Sequence, residues 1–286
     1  MSGLPIVDAH HHVWDLTVRD QPWISGAALA PLRRSFCLDD LRPAAEAAGV
    51  TATVLVQTIT VAEETPEFLA LADGDPLVAG VVGWTDLTAP DVADALARLR
   101  ELPGGDRLVG IRHQVQEEPD RNWLLRPDVR RGLLAVAGAG LVYDLVVKPH
   151  QLPAAIGAAA GLAGLTFVLD HLGKPPIASG ELEPWADRVR RLAALPNTVA
   201  KFSGLLTEAA PGAGVDDLRP YVDVAMEAFG PHRLMFGSDW PVSTLAADYG
   251  QTVDATKELL RLARLSTSEQ AAVLSGTATG VYGLGR

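Results

Sequence analysis

The sequence Ile6-Val7-Asp8-Ala9-His10-His11-His12-Val13-Trp14 begins as an apolar strand and runs directly into an acid and three histidines. Side chains alternate between the two faces of a strand, so Asp8, His10 and His12 are predicted to share one face, with His11 on the other. Two neutral imidazoles at this spacing can bind one divalent metal ion. The alternative is a remnant of a histidine tag or a chance polar strand end, although a tag is normally longer and lies outside the first apolar run.

Short β-branched runs alternate with longer alanine- and leucine-rich segments along the rest of the chain, as in repeated βα units. The predicted strands are 6–12, 52–57, 77–84, 108–114, 141–147, 166–170, 198–202 and 233–237. The predicted helices include 91–102, 128–137, 153–160, 183–194 and 220–229, where apolar residues recur three and four apart. Eight such units predict a closed (β/α)8 barrel, an α/β fold that forms a single domain over residues 1–286.

Residues 14–42 interrupt this regular alternation with a long loop that contains Trp14, Trp23 and two prolines. Barrel loops are usually only a few residues long, and long ones tend to be functional. We therefore expect this loop to cap the active site. A surface loop that packs on the barrel rim is the alternative for any single residue in it.

Composition excludes several classes of partner. The chain has 286 residues, 48% of them hydrophobic, and a formal net charge of −11, which opposes binding to nucleic acid. Cys37 is the single cysteine and is predicted to be a small buried or half-buried residue, outside any disulfide or cysteine-based zinc site. The sequence contains neither a signal peptide nor an apolar stretch long enough for a membrane span. We expect a soluble cytoplasmic protein with no membrane partner.

Histidines and charged residues cluster at the carboxyl ends of the predicted strands, where α/β barrels hold their active sites. Six of the seven histidines fall there, and His232 is the exception. The residues at the ends of the fourth, fifth, sixth and eighth strands are Arg112, His113, Lys148, His150, His171, Lys174, Asp239 and Trp240. The strand ends therefore predict one convergent site.

A hydrolytic metal site needs neutral nitrogen or anionic oxygen ligands and an open position for water. His10, His12, His150 and Asp239 are the predicted ligands. Asp239 is also the predicted general base, because a carboxylate beside a bound water can take its proton. His171 is predicted to be catalytic, either as a fifth ligand or as the group that polarises a substrate carbonyl.

The linked motifs at 7–15, 110–113, 169–175 and 236–241 resemble those of the amidohydrolase superfamily. The similarity is greatest to the branch that contains L-fuconolactone and L-rhamnonolactone hydrolases and 2-pyrone-4,6-dicarboxylate lactonase, and it extends from about residue 6 to residue 284. The resemblance implies a (β/α)8 barrel that hydrolyses a lactone ring. It assigns the catalytic roles to the first-strand histidines, His150, His171 and Asp239.

One departure from the superfamily pattern concerns the metal. The fourth strand has Arg112 and His113 where binuclear members place a lysine that is carbamylated to bridge two ions. The resemblance therefore implies one divalent metal ion, zinc in first place, or none, since lactonases of this branch can work without a bound metal. No organic cofactor is expected.

The predicted reaction is attack of water on a lactone carbonyl. Asp239 deprotonates the water, and a metal ion, His150 or His171 stabilises the charge on the carbonyl oxygen. The predicted substrate contacts are Trp14, Arg112, His113, Lys148, Lys174 and Trp240. Lys148 and Lys174 are equally compatible with ion pairs on the rim. Because the strand ends provide few cations, the predicted substrate is a neutral six-carbon aldonolactone, such as that of L-fucose or L-rhamnose.

Three alternatives remain open on sequence grounds: a pyrone dicarboxylate lactonase, a metal-dependent decarboxylase of a muconate-like acid, and a barrel that binds ligand without catalysis. The two acidic substrates would each require several convergent cations. The expected partner is in every case a small molecule. The oligomeric state, a homo-oligomer included, is left open.

Overall fold

The computed structural model describes residues 4–285, in which eight parallel strands form one sheet in sequence order. The strands are β1 (Ile6–His11), β2 (Val50–Val56), β3 (Val78–Gly83), β4 (Leu108–His113), β5 (Val142–Leu145), β6 (Phe167–Leu169), β7 (Thr198–Phe202) and β8 (Leu234–Phe236). Two backbone hydrogen bonds close the barrel. The Trp240 carbonyl accepts from the His12 N–H at 2.7 Å, and the His10 carbonyl accepts from the Asp239 N–H at 2.8 Å. The predicted (β/α)8 barrel is confirmed.

Helices connect the strands and surround the sheet. They are α1 (Leu38–Ala48), α2 (Glu64–Gly74), α3 (Val92–Arg100), α4 (Pro127–Gly138), α5 (Leu152–Gly161), α6 (Trp185–Ala193), α7 (Val215–Phe229), α8 (Tyr249–Leu262), α9 (Thr267–Ala271) and α10 (Thr277–Tyr282). The five predicted helices are α3 to α7, and Asp91 and Gly230 flank α3 and α7 as their helix caps. No helix within residues 4–285 is long and apolar enough to cross a membrane.

Helix α1 begins inside the segment predicted as the 14–42 loop. It starts at Leu38 because the Asp40 carboxylate accepts the Cys37 N–H at 2.9 Å and caps the first turn. It ends at Gly49, whose φ of 82° is the left-handed conformation that glycine adopts without strain. The prediction that Cys37 is buried or half-buried is wrong: at the start of this helix its side chain is exposed.

Two apolar layers fill the molecule. Inside the barrel lie valines from several strands, such as Val54 and Val142, together with Tyr282 of α10, which closes the amino-terminal end of the barrel. The second layer, between the sheet and the outer helices, includes Leu55 and Leu133. Along β2, for example, Val54 and Val56 belong to the inner layer and Leu55 to the outer one, as the period of a strand requires.

A β-bulge in β1 changes which side chains face the interior. Asp8 pairs with Thr53 and His11 with Leu55, so three steps along β1 match two along β2. Asp8 therefore shares the outer face with His11. The prediction that Asp8 shares a face with His10 and His12 is wrong, because strict alternation does not survive the extra residue. Asp8 instead accepts hydrogen bonds from Ser238 Oγ at 2.6 Å and Tyr249 Oη at 2.9 Å.

Candidate active site

His10, His12 and Asp239 form a buried cluster at the carboxyl end of the barrel. Their nearest side-chain nitrogens and oxygens all lie within 4.8 Å of one another. The Nε2 atoms of His10 and His12 are 3.2 Å apart, and Asp239 Oδ1 is 3.5 Å from His12 Nε2. His171 Nε2 is 4.0 Å from the same carboxylate oxygen. Three imidazoles therefore surround one carboxylate.

Left-handed backbone conformations place two of these side chains. Among the described residues, five besides glycine have positive φ, and four of them lie at this site: His171, Leu172, Lys174 and Asp239. Such conformations cost about 1–3 kcal/mol each and persist only where the surroundings impose them. For Asp239 the hydrogen bond from its N–H to the His10 carbonyl provides that constraint. The strain indicates a site whose geometry is set by function.

Burial and the imidazoles determine the charge state of the cluster. Burial lowers the pKa of His171 to about 4, so this ring is neutral at pH 7. Burial alone would raise the pKa of Asp239, but the surrounding His171, His12 and His10 outweigh it and hold that pKa well below the ordinary carboxyl value. The cluster is thus an ionised carboxylate among imidazoles. That combination of nitrogen and oxygen donors suits either a divalent metal ion or a general base.

A cavity of about 780 Å³ opens directly above this cluster. His12, Arg112, His171 and Asp239 line its floor, and the lining also includes Pro22, Trp23, Leu29, Thr58, Gln114, Gln116, Glu117, Lys148, Lys174, Glu208 and Val242. Trp23 and Leu29 come from the predicted 14–42 loop. The cavity thus combines a charged floor, polar walls and an apolar side.

Each cation that lines this cavity faces a carboxylate. Arg112 Nη1 donates to Asp170 Oδ2 at 3.0 Å. Lys174 Nζ donates to Glu208 Oε1 at 2.6 Å, and the ammonium of the half-buried Lys148 lies 3.7 Å from Glu117. No lysine or arginine in the lining is therefore left for a substrate carboxylate without competition.

The structure does not bring His150 to the cluster. Strand β5 ends at Leu145, and the chain then turns through the short 3-10 helix Pro149–Gln151, where His150 is exposed. Neither of the two groups of side chains that could hold a metal ion among residues 4–285 includes it. The predicted role of His150 rested on its position near the end of the fifth strand, and that position lies beyond the barrel rim.

Three predicted substrate contacts lie outside the cavity lining. Trp14 and Trp240 are buried, and both pack edge-on against Phe36. His113 stacks on Trp123 with ring centroids 4.2 Å apart and bonds Glu118 through Nε2 at 2.8 Å. These side chains are engaged in packing with other residues and do not line the cavity.

Several polar residues of the barrel interior escaped prediction. Asp170 is fully buried and contacts His10, Arg112 and Lys201. Lys201 is fully buried in β7 and also pairs with Asp144. A lysine within an otherwise apolar strand, and an acid directly before His171, were the available sequence signals. Both break the apolar pattern at positions that a barrel strand buries.

Comparisons with known proteins relate this chain to one family of enzymes. Residues 7–284 match the sequence profile of the amidohydrolase family. The L-fucono-1,5-lactonase of Burkholderia multivorans is 40% identical over 97% of this chain and 96% of its own length. The L-fucono-1,5-lactonase of Burkholderia ambifaria is 39% identical over 85% of this chain and 83% of its own length.

A solved structure extends the similarity to three dimensions. The crystal structure of an amidohydrolase from Burkholderia multivorans with bound zinc has a TM-score of 0.91 and 40% sequence identity to this chain. The superposition covers 98% of this chain and 99% of that one. The likeness therefore extends over the whole barrel.

Proposed function

The chain belongs to the amidohydrolase family, and we propose that it hydrolyses the ring ester of a neutral sugar lactone, L-fucono-1,5-lactone in first place. It is a lactonase, a hydrolase of carboxylic ester bonds. The observation that carries the choice of a neutral substrate is the pairing of Arg112, Lys174 and Lys148 with carboxylates of the same chain. A polyol lactone needs hydrogen-bond partners and an apolar surface, and it needs no free cation.

The catalytic base in this proposal is Asp239. Its carboxylate is ionised, lines the cavity floor and can take a proton from the water that attacks the lactone carbonyl. Negative charge then develops on the carbonyl oxygen. His171 is placed to stabilise it: when the Ser203 hydroxyl, 2.9 Å away, donates to Nδ1, the neutral ring carries its proton on Nε2 and can donate to that oxygen. Asp239 returns the proton to the ring oxygen as the ester bond breaks.

The donor set also fits one divalent metal ion. His10, His12 and Asp239 would hold it with His171 as a further donor, because imidazole nitrogens and a carboxylate oxygen are the ligands that Zn²⁺ prefers. When bound, such an ion lowers the pKa of water and polarises a carbonyl. We propose zinc as the ion and a reaction that also proceeds without it, because Asp239 and His171 supply a base and a donor from the chain itself.

The segment from Trp14 to the start of α1 is proposed as the cap of the site. Trp23 and Leu29 of this segment line the cavity beside the catalytic floor. They provide an apolar wall that suits the unsubstituted methyl group of a 6-deoxy sugar. Cytoplasmic location stays a prediction.

Steady-state kinetics on two substrates test the proposal. We expect kcat/KM for L-fucono-1,5-lactone to exceed that for 2-pyrone-4,6-dicarboxylate by at least ~100-fold, equivalent to ~2.7 kcal/mol. An unpaired buried carboxylate on the dianionic substrate is the physical reason for the gap. Faster turnover of the dicarboxylate would overturn the neutral-lactone assignment.

A further inference from the structure

Lys201 stands inside the barrel directly beneath the histidine cluster, with its side chain fully buried. A buried ammonium is costly unless acceptors match its protons. Three groups surround its Nζ: it donates to Asp144 Oδ2 at 2.5 Å, lies 3.1 Å from His10 Nδ1, and forms an ion pair with Asp170 Oδ1 at 3.1 Å without a hydrogen bond. The Tyr282 hydroxyl holds the first of these carboxylates by donating to it at 2.9 Å. Lys201 is therefore a buried cation balanced by two carboxylates, and the third group in contact with its ammonium is a histidine of the site.

The hydrogen bonds of His12 determine which of the two ring nitrogens of His10, Nδ1 or Nε2, carries the proton. His12 Nδ1 lies 2.8 Å from the carbonyl oxygen of Val56, which can only accept, so Nδ1 is the protonated nitrogen of this ring. His12 Nε2 then has a free lone pair. Because His10 Nε2 lies 3.2 Å from it, His10 is the donor in that contact and carries its own proton on Nε2. The remaining lone pair of His10, on Nδ1, faces Lys201.

Two further contacts of His10 have to fit this assignment. Arg112 Nη1, which can only donate, lies 3.3 Å from His10 Nε2, farther than the 3.1 Å between Lys201 Nζ and His10 Nδ1, and its shorter contact, at 3.0 Å, is to the charged carboxylate of Asp170. Charge-assisted bonds of that kind are the stronger ones. Asp170 Oδ1 lies 3.3 Å from His10 Nδ1. That oxygen is the acceptor that Nδ1–H would use in the other tautomer.

We propose that Lys201 selects the tautomer of His10. By donating to Nδ1 it keeps the ring proton on Nε2, where the bond to His12 holds the two rings together without a metal ion. Metal binding through Nε2 requires the proton on Nδ1 instead, with no change in the number of ring protons. Nδ1–H would then face the ammonium of Lys201 at 3.1 Å. Lys201 is thus a positioning residue that acts through His10 and weakens metal binding.

The first test reads the tautomer directly and does not depend on the substrate. Ring ¹⁵N chemical shifts distinguish protonated from unprotonated imidazole nitrogens in ¹⁵N-histidine-labelled, chelator-treated protein, with His10→Asn used for assignment. We expect His10 in the parent to be protonated at Nε2 and unprotonated at Nδ1. A proton on Nδ1 in the parent would overturn the proposal.

Variants then test whether Lys201 is responsible. Lys201→Met removes the donor but leaves the Asp144 carboxylate without its cation. The charge-neutral double variant Lys201→Met with Asp144→Asn is therefore tested beside it. Thermal unfolding checks that both variants fold. In either folded variant the proton of His10 should move to Nδ1 and bond Asp170. Lys257→Met, at an exposed lysine of α8, is the matched control and should leave the shifts unchanged. A folded Lys201 variant that keeps the parent tautomer contradicts the assigned role.

Zinc affinity provides an independent readout, and this arm rests on the metal ligands proposed above. Neighbours of ligating histidines commonly change metal affinity 10- to 100-fold. We expect the double variant to bind Zn²⁺ about tenfold more tightly than the parent in a competition titration, since it no longer opposes Nδ1 protonation. Equal or weaker binding would show that Lys201 does not oppose the metal. If the enzyme did not hydrolyse the lactone, the proposed function would be wrong. The ring nitrogen shifts and the zinc affinity would still test the role of Lys201.

Discussion

The ammonium of Lys174 lies 2.6 Å from the carboxylate of Glu208, across the wall of the active-site cavity. The two residues follow neighbouring strands, β6 and β7. Each side chain is about a quarter exposed, so the pair is partly shielded from water. Its consequence is a polar wall with no net charge, which favours a polyol over a substrate carboxylate.

Removing the acid of this pair should loosen selection against charged lactones. In Glu208→Gln the Lys174 ammonium is free to pair with a substrate carboxylate. We expect the preference for L-fucono-1,5-lactone over 2-pyrone-4,6-dicarboxylate to shrink by about tenfold, a change of ~1.4 kcal/mol in relative kcat/KM. Glu227→Gln removes an acid paired with Arg190 on the surface and serves as the control. An unchanged preference would show that the pair does not determine substrate charge.

Substitution of the proposed base tests the mechanism. Asp239→Asn preserves size but removes the anion that accepts the proton of water, so kcat should fall by ~10²-fold or more with the fold intact. Circular dichroism and thermal unfolding check the fold, and initial rates give kcat. Activity within a few-fold of the parent would exclude Asp239 as the base.

Two histidine variants test whether the position of a histidine along the chain or its position in the structure predicts a catalytic role. His171 lines the cavity floor, whereas His150 is exposed and outside the cluster. We therefore expect His171→Gln to lower kcat/KM by ~10²-fold and His150→Gln to change it by less than about threefold. Each variant is the control of the other. A large loss in His150→Gln would restore the role that its sequence position predicted.

Chelation tests the metal. Because Asp239 and His171 supply a base and a hydrogen-bond donor, we expect much of the lactonase activity to persist after prolonged treatment with a chelator. Metal content is measured by elemental analysis before and after treatment, and zinc is then added back. Complete loss that zinc reverses would show the ion to be necessary.

Buried histidines should make folding sensitive to acid. Burial lowers the pKa of His11 to about 3, from 6.5 in an unfolded chain. Between these values the unfolded state binds a proton that the folded state does not, so the free energy of unfolding falls as pH falls below 6.5, by ~1.4 kcal/mol per pH unit for this one group. In His11→Gln we expect a shallower decline between pH 6.5 and pH 4, measured by urea unfolding. Parallel curves for parent and variant would contradict it.

The sequence by itself determined the barrel and the core of the site. Eight apolar runs alternating with helical segments leave few ways to bury both faces of a parallel sheet. Because the carboxyl ends of barrel strands meet at one face, His10, His12, His171 and Asp239 could be assigned to a common site from their places along the chain.

Tertiary structure alone decided which polar groups meet. One extra residue in β1 moved Asp8 to the outer face, and the turn after β5 left His150 at the surface, although Asp8 lies within a predicted strand and His150 follows one closely. The contact of Lys201 with His10 joins residues 191 positions apart, on β7 and β1. Periodicity describes each strand separately, whereas these contacts depend on the register between strands and on the closure of the barrel.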